Sequence, residues 1–420
     1  MVALRASQWV AVTTVAIERI AAGGDGVGRL EDGMTVFVPR TAPGDRVTVE
    51  VVDRRKRYAR AVVSSVVNHG GCRTEPLCRH YVEDMCGGCQ LQHLDADGQL
   101  DVKRRIIGDA LRRIGHLDLP DPDMVPAPKQ WRYRSKVSLT AKQGRIGYRR
   151  LGSPDDVFDL DDCLLAQPQL MELWRDLREL RGLFPGGLTA LVLRGDREGG
   201  LHVVASSDRE EAWDASKLAA AIGRAEVSYW WHPPHGAVRV VAGPRTGYPA
   251  LAFEQTHLPF ARIVRARAVT SLGPVAGRTA WDLYGGVGDT AALLADGGAS
   301  VWSVDADRPA VRWARRRSED LGLEIHFVAR RVEDTLQELP DPDVVVVNPP
   351  RGGLARSVTD RLRGWGGAVA GRRLAYLSCD PATLARDLAR LDTLVVADVT
   401  GFDLFPQTSH VETLVTLESR

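Results

Sequence analysis

No stretch of the chain approaches the roughly 20 consecutive apolar residues that a membrane helix needs, which excludes an α-helical membrane span. Charge of one sign is missing as well. Lys and Arg number 55 against 54 Asp and Glu, for a formal net charge of +1. The molecule as a whole is therefore no basic sponge, and any nucleic-acid surface must come from local clusters of Arg and Lys. A secretory leader pattern is absent, because Arg5 and Gln8 interrupt the apolar residues at the N-terminus, and the expectation is a cytoplasmic protein. Long exposed apolar helices, internal repeats and low-complexity tracts are also lacking, and a monomer is expected. Cysteine is scarce, with six in 420 residues, too few for a disulfide scaffold. Four of the six crowd into Cys72–Cys89, while Cys163 and Cys379 stand alone. Such crowding reads as metal or cluster ligation more readily than as disulfides.

The chain is long enough for two or three cores. Short apolar runs at Val10–Ile17, Val36–Pro39, Val47–Val52 and Ala59–Val67, separated by turns at Ala22–Gly28 and Pro43–Asp45, predict a small OB-like β-barrel over residues 1–67. Its dense basic run, Arg54, Arg55, Lys56 and Arg57 with Arg60 beyond, is a candidate phosphate contact. A cysteine loop spans 68–95. Helical spacing of Leu100, Ile106, Ile107, Ala110 and Leu111 predicts a helix within 96–119, packed on the catalytic domain. Residues 120–250, opened by a proline-rich linker, read as a β-rich central domain. Within it Trp131, Arg132, Tyr133, Arg134 and Lys136 alternate aromatic and basic side chains, a pattern that can stack bases and hold phosphates. From 251 to 420 strands and helices alternate as in a doubly wound parallel sheet. The fold class is α/β, and the last two strands, Leu394–Val399 and Val411–Leu417, have no helix between them and predict an antiparallel edge.

Asp282–Gly288, in the sequence Asp-Leu-Tyr-Gly-Gly-Val-Gly, follows a strand and precedes a helix. Gly286 and Gly288 let the backbone turn tightly and approach a nucleoside, and Asp305 at the next strand end can accept from ribose hydroxyls. The turn lacks both the dinucleotide fingerprint and the Gly-Lys-Ser/Thr of phosphate-binding loops, which leaves S-adenosylmethionine as the nucleoside expected. Asn348-Pro349-Pro350 fixes a rigid loop at the end of the fourth strand, with Asn348 placed to touch cofactor or base. Cys379 lies just beyond the fifth strand, where Pro381 starts a helix whose dipole is expected to favour the thiolate. Glu412, at the start of the last strand, is the candidate base, with His410 as the alternative or as an orienting neighbour.

Together these motifs resemble the RNA uridine-5 methyltransferases. The first 67 residues are similar to their TRAM domain, an RNA-binding module. Cys86-Gly-Gly-Cys89-Gln-Leu-Gln-His93, Trp131-Arg-Tyr-Arg-Ser-Lys136, Ile146-Gly-Tyr-Arg149, Phe253-Glu-Gln255, Ser378-Cys-Asp-Pro-Ala-Thr-Leu384 and His410-Val-Glu412 carry the resemblance. It implies a class I Rossmann-like methyltransferase acting on tRNA or large-subunit ribosomal RNA. Cys379 is then the nucleophile and Glu412 the base, and Gln255, Tyr284, Asp305 and Asn348 contact the cofactor or the target base. Uracil C5 is too poor a nucleophile to take a methyl unaided; a thiolate added at C6 places electron density on C5. Cys78, Cys86, Cys89 and Cys163 resemble the family's [4Fe-4S] ligands. The first spacing is longer than the family's, so Cys72 competes for that place, and zinc is the rival metal.

Two departures stand out. The family's proline motif begins with Asp where this chain has Asn348, and Arg331 aligns where Asn or Asp is usual. Two other readings stay open. An amino-group methyltransferase would use Asn348-Pro-Pro, although those enzymes carry an aromatic residue in place of Arg351. A catalytically silent RNA-binding homologue would keep the fold alone.

Overall fold

Alternation of apolar residues builds the first unit. In the computed structural model, which describes residues 12–419, β1 (Val12–Ile20), β2 (Gly26–Arg29), β3 (Thr35–Val38), β4 (Arg46–Arg54) and β5 (Tyr58–Asn68) close into a barrel. Every second residue points inward, so that Val15 and Ile17, Val36 and Val38, Val47 and Val49, and Ala59 and Ala61 fill it. Arg5, Gln8 and the expected strand start at Val10 lie outside the described residues. The strand β2 corrects the turn expected at Ala22–Gly28. A Cβ on Gly28 would stand 2.5 Å from the Ala16 carbonyl oxygen, and one on Gly26 would stand 1.9 Å from Thr41 Oγ1. Glycine serves here for close strand approach rather than for turning.

After the barrel come the single turn α1 (Arg79–Val82) and the long helix α2 (Ala96–Arg113). Asp95 caps α2 by accepting from the Gly98 N–H at 2.7 Å. The short strand β6 (Asp123–Val125) follows within the proline-rich stretch. It does not join the central unit; it pairs in parallel with the far edge of the catalytic sheet. A boundary drawn at 120 thus cuts off an edge strand, because three residues between prolines carry no legible alternation.

The central unit holds β7 (Lys136–Lys142), β8 (Arg145–Gly147), the small pair β9 (Arg149–Arg150) and β10 (Ser153–Val157), α3 (Pro168–Glu179), β11 (Leu188–Gly195), β12 (Leu201–Ser207), α4 (Ser216–Ile222), β13 (Val227–His232) and β14 (Arg239–Ala242). Its six-stranded sheet runs β14-β13-β12-β11-β7-β8. The sequence reading missed β13. Residues 227–231 are buried in succession, so the strand has no polar face to announce it.

The last unit comprises α5 (Leu258–Ser271), β15 (Thr279–Leu283), α6 (Asp289–Asp296), β16 (Ser300–Val304), α7 (Arg308–Asp320), β17 (Ile325–Val328), β18 (Val344–Val347), α8 (Arg356–Ala368), β19 (Arg373–Ser378), α9 (Pro381–Leu388), β20 (Leu394–Phe402) and β21 (Glu412–Ser419). Its sheet order is β17-β16-β15-β18-β19-β21-β20-β6. Successive residues of β18 feed opposite cores: Val345 and Val347 pack with Trp365 and Leu384, whereas Val344 and Val346 pack with Val264 and Leu294. Ile107 and Leu111 of α2 join the first of these layers. Strands from β17 to β19 are parallel, and β21 enters antiparallel between β19 and β20. Strand order reverses at β15, which opens a crevice at the carboxyl ends of β15 and β18.

Candidate active site

That crevice holds a cavity of about 660 Å³, large enough for a nucleoside cofactor and a base. The turn after β15 forms its floor. Tyr284, Gly286 and Gly288 all have positive φ, at 63°, 54° and 78°. A tyrosine in that region is strained, and such strain persists where the surroundings over-determine it. Asp305 accepts the Gly286 N–H at 2.8 Å and the Asp307 N–H at 2.7 Å, and its remaining lone pairs are free for ribose hydroxyls. Gln255 enters from the segment before α5, and Asn348 stands at the end of β18. The Asp305 acceptor and the two side-chain amides, with a glycine floor, suit S-adenosylmethionine.

Sequence register explains why Cys379 and Glu412 meet in the same cavity. In the antiparallel pair of β19 and β21, Ser378 lies opposite Thr413, so the next positions, Cys379 and Glu412, face one another. Glu412 is buried, and its Oε2 has no hydrogen-bond partner. Burial pushes its carboxyl up to about 8, against the pull of the Arg265 guanidinium. Burial also raises the Cys379 thiol, helped by the Glu412 charge and opposed by Arg351. The expected help from the dipole of α9 is lost, because Asp380 accepts the free Ala382 and Thr383 N–H groups at 3.0 and 2.9 Å. His410 is held neutral, its imidazole pushed down to about 4 by burial and by Arg351. Arg351 Nη2 lies 3.1 Å from His410 Nε2, so the basic lone pair is already engaged.

Glu333 and Arg351 are two of the lining residues that the sequence reading did not expect. Glu333 accepts from the Tyr284 hydroxyl at 3.3 Å and lies 3.4 Å from the exposed Arg331. It follows Arg331 by two positions, and a search along the chain beyond the loosely aligned Arg331 would have met it. Arg351 is the other, its nearness to Cys379 hidden by the turn after the prolines.

A family model described as tRNA (Uracil-5-)-methyltransferase matches residues 310–420, and one described as TRAM domain matches residues 7–64. The 23S rRNA (uracil(1939)-C(5))-methyltransferase of Halomonas elongata is 34% identical, over 96% of this chain and 88% of that protein. The chain belongs to the RNA uracil-5 methyltransferase family. An uncharacterised RNA methyltransferase of Thermosynechococcus vestitus is 32% identical, with 96% of each chain covered. Among solved structures, the Pyrococcus abyssi tRNA (uracil-54, C5)-methyltransferase in complex with S-adenosyl-L-homocysteine superposes with a TM-score of 0.74. That match covers 96% of this chain and 100% of the other at 26% identity. The protein is an S-adenosylmethionine-dependent RNA uracil-5 methyltransferase with a Rossmann-like catalytic sheet.

In this methyltransferase Cys78, Cys86, Cys89 and Cys163 line a second cavity, away from the first, with Arg134 and Tyr148. Cys72 is elsewhere, packed against Leu91 and Ile106. Burial pushes Cys86 and Cys89 up to about 12. The Gly88 N–H lies 3.4 Å from Cys86 Sγ, and the Tyr148 hydroxyl 3.9 Å from Cys163 Sγ. Among the described residues no three Cys, His, Asp or Glu side chains stand close enough together to hold a single metal ion. Four thiols beside the Arg134 guanidinium have the donor chemistry of an anionic cluster, with His80 and Asp162 lining the same cavity.

In the aromatic and basic run at 131–136, Tyr133 and Ser135 are buried and the other side chains are half-buried. Arg132 pairs with Asp162 at 2.6 Å, Tyr133 is buried with its hydroxyl donating to the Pro406 carbonyl at 3.0 Å, and Trp131 packs against the cysteine cavity's neighbours. Residues 131–135 precede β7 and lie outside any strand, so the alternation there does not mark a half-buried strand. On the barrel, Arg54 pairs with Asp32 and Arg55 with Asp53, whereas Lys56 and Arg57 have no ion-pair partner among the described residues. No helix among the described residues is long and apolar enough to cross a membrane.

Proposed function

We propose that this methyltransferase works through a covalent Cys379 adduct resolved by Glu412, on a uridine of ribosomal RNA. The observation that supports it is the facing of a thiol and a buried, unpartnered carboxyl across one cavity of cofactor size. Uracil C5 and C6 are hidden by stacking, so the target must be unpaired or flipped out. The Cys379 thiolate, favoured by the Arg351 guanidinium, adds to C6 and leaves electron density on C5. S-adenosylmethionine supplies the methyl group when bound. Asp305 and Gln255 orient the cofactor, and Tyr284 and Asn348 complete the wall on which cofactor or base rests. Glu412 then removes the C5 proton, and the thiolate leaves. Ribosomal RNA is favoured over tRNA because the relative named for 23S rRNA shares 34% of positions, against 26% for the solved tRNA enzyme.

Incubation with 5-fluorouridine RNA and cofactor tests the reading. Fluorine cannot leave C5 as a proton, so a protein–RNA complex stable in denaturant should accumulate with the natural protein and be lost in Cys379→Ala. A natural enzyme that methylates ordinary RNA but never traps the fluorinated form would refute the covalent route. Ribosomal and tRNA transcripts compared in parallel decide the substrate.

The reading extends to the second cavity. Cys78, Cys86, Cys89 and Cys163 would hold a [4Fe-4S] cluster, which would brace the loop. Methyl transfer moves no electron, so the role is structural. Four thiolates suit such a cluster, zinc is the rival that they also suit, and the metal content of the purified protein decides between them.

A further inference from the structure

The loop that leads into Glu412 is held by contacts that the mechanism above does not use. Gln407 has φ 69°, a left-handed conformation that is strained for a glutamine and needs reinforcement. Reinforcement comes from every side. Its N–H donates to Gln99 Oε1 at 2.8 Å, and Gln99 Nε2 donates to Gln407 Oε1 at 3.0 Å. Its carbonyl accepts the Gln90 and Leu91 N–H groups, within the cysteine loop, at 3.1 and 3.0 Å. Both glutamines are buried, so a broken amide pair would strand polar groups without water. Glu412 has no such support, since its Oε2 is unpartnered and its position follows from the backbone entering β21.

We propose that Gln99 and Gln407 are positioning residues for the second half of the reaction, fixing the chain so that Glu412 reaches the C5 proton. The inference rests on Glu412 being the base. After methyl transfer C5 carries a methyl and a hydrogen, and C6 carries the sulfur. The Glu412 carboxylate takes the hydrogen as a proton, its electron pair forms the C5–C6 double bond, and the C6–S bond breaks with its pair returning to Cys379 as thiolate. Misplacing the base slows this step alone, so a methylated adduct should build up.

Gln99→Ala and Gln407→Gly are compared with Glu412→Gln on RNA containing ordinary uridine. Reactions are quenched in denaturant, and covalent protein–RNA is separated from released product. Glycine adopts φ 69° without strain, so Gln407→Gly keeps the fold even if Gln99→Ala does not. The expected result is adduct accumulation in all three variants, with release slowed about tenfold in the glutamine variants. S-adenosylhomocysteine affinity by calorimetry should stay unchanged, and Gln407→Asn, which tolerates positive φ and keeps an amide, should recover part of the release rate. Adduct in Glu412→Gln but none in the glutamine variants overturns this proposal and leaves the base intact. Absence of adduct in Glu412→Gln itself overturns the base assignment, and this inference with it.

Discussion

In the proposed reaction, burial sets the working range of Cys379 and Glu412. With its carboxyl pushed up to about 8, Glu412 is largely protonated at neutral pH before substrate binds, and base activity should climb as pH rises toward that value. The same shift bears on stability, with a definite sign. A carboxyl whose folded pKa lies above its ordinary 4.5 contributes stability that is fully present below about 4.5 and is lost as pH rises through about 8. Glu412→Gln should therefore gain melting temperature over the natural protein at pH 8 and much less at pH 5. An equal difference at both values, by calorimetric scan, would contradict a buried unpaired charge. Asn348 offers the second test at this scale. Were Asn348 to face the cofactor's ammonium group, its amide would offer a neutral hydrogen bond, and a carboxylate would add about 1 kcal/mol, or roughly fivefold in Kd. Asn348→Asp should bind S-adenosylmethionine more tightly by titration calorimetry; equal or weaker binding would show that the ammonium group lies elsewhere.

At the scale of elements, what could be read from the chain depended on whether one residue face stays polar. The barrel strands β3, β4 and β5 alternate cleanly, and β15 to β19 end in recognisable turns, so both were legible. β2 was hidden by glycines used for close approach, β6 by prolines on either side, and β13 by burial on both faces. The site divides in the same way. Cys379 and Glu412 lie in compact motifs, and the register of β19 against β21 brings them together. The Gln99–Gln407 pair spans 308 positions and leaves no local mark. Glu333 belongs to a single-turn 3₁₀ segment, too short for any period. The cysteine loop carries its own prediction. Protein purified without oxygen should be brown with visible absorbance, and Cys163→Ala should bleach it; colourless protein holding one zinc per chain would decide for the rival metal.

Over the whole molecule, near-neutral charge leaves RNA attraction to local patches. Two members of the barrel's basic run are already engaged by Asp32 and Asp53, so the four are unequal. Replacing Lys56 and Arg57 with alanine should weaken RNA binding more than replacing Arg54 and Arg55. Each lost phosphate contact should flatten the dependence of log affinity on log salt by about 0.7 on a single-stranded target. Cofactor affinity should not change. Four equal effects, or an unchanged slope, would move the RNA path off this face.

The helix α2 has a consequence for how the chain is made. Its buried Lys103 pairs with Asp403, 300 positions further on, and its apolar side joins a layer built mostly from the last third of the protein. During synthesis this helix leaves the ribosome long before any of those partners exist. At roughly 5–20 residues per second it waits some tens of seconds with a greasy flank and an ammonium uncovered. The barrel and the central sheet can settle in that interval; the catalytic half cannot close until β21 has been made. Nascent chains stalled before β20 should accordingly be the species that chaperones hold and proteases cut.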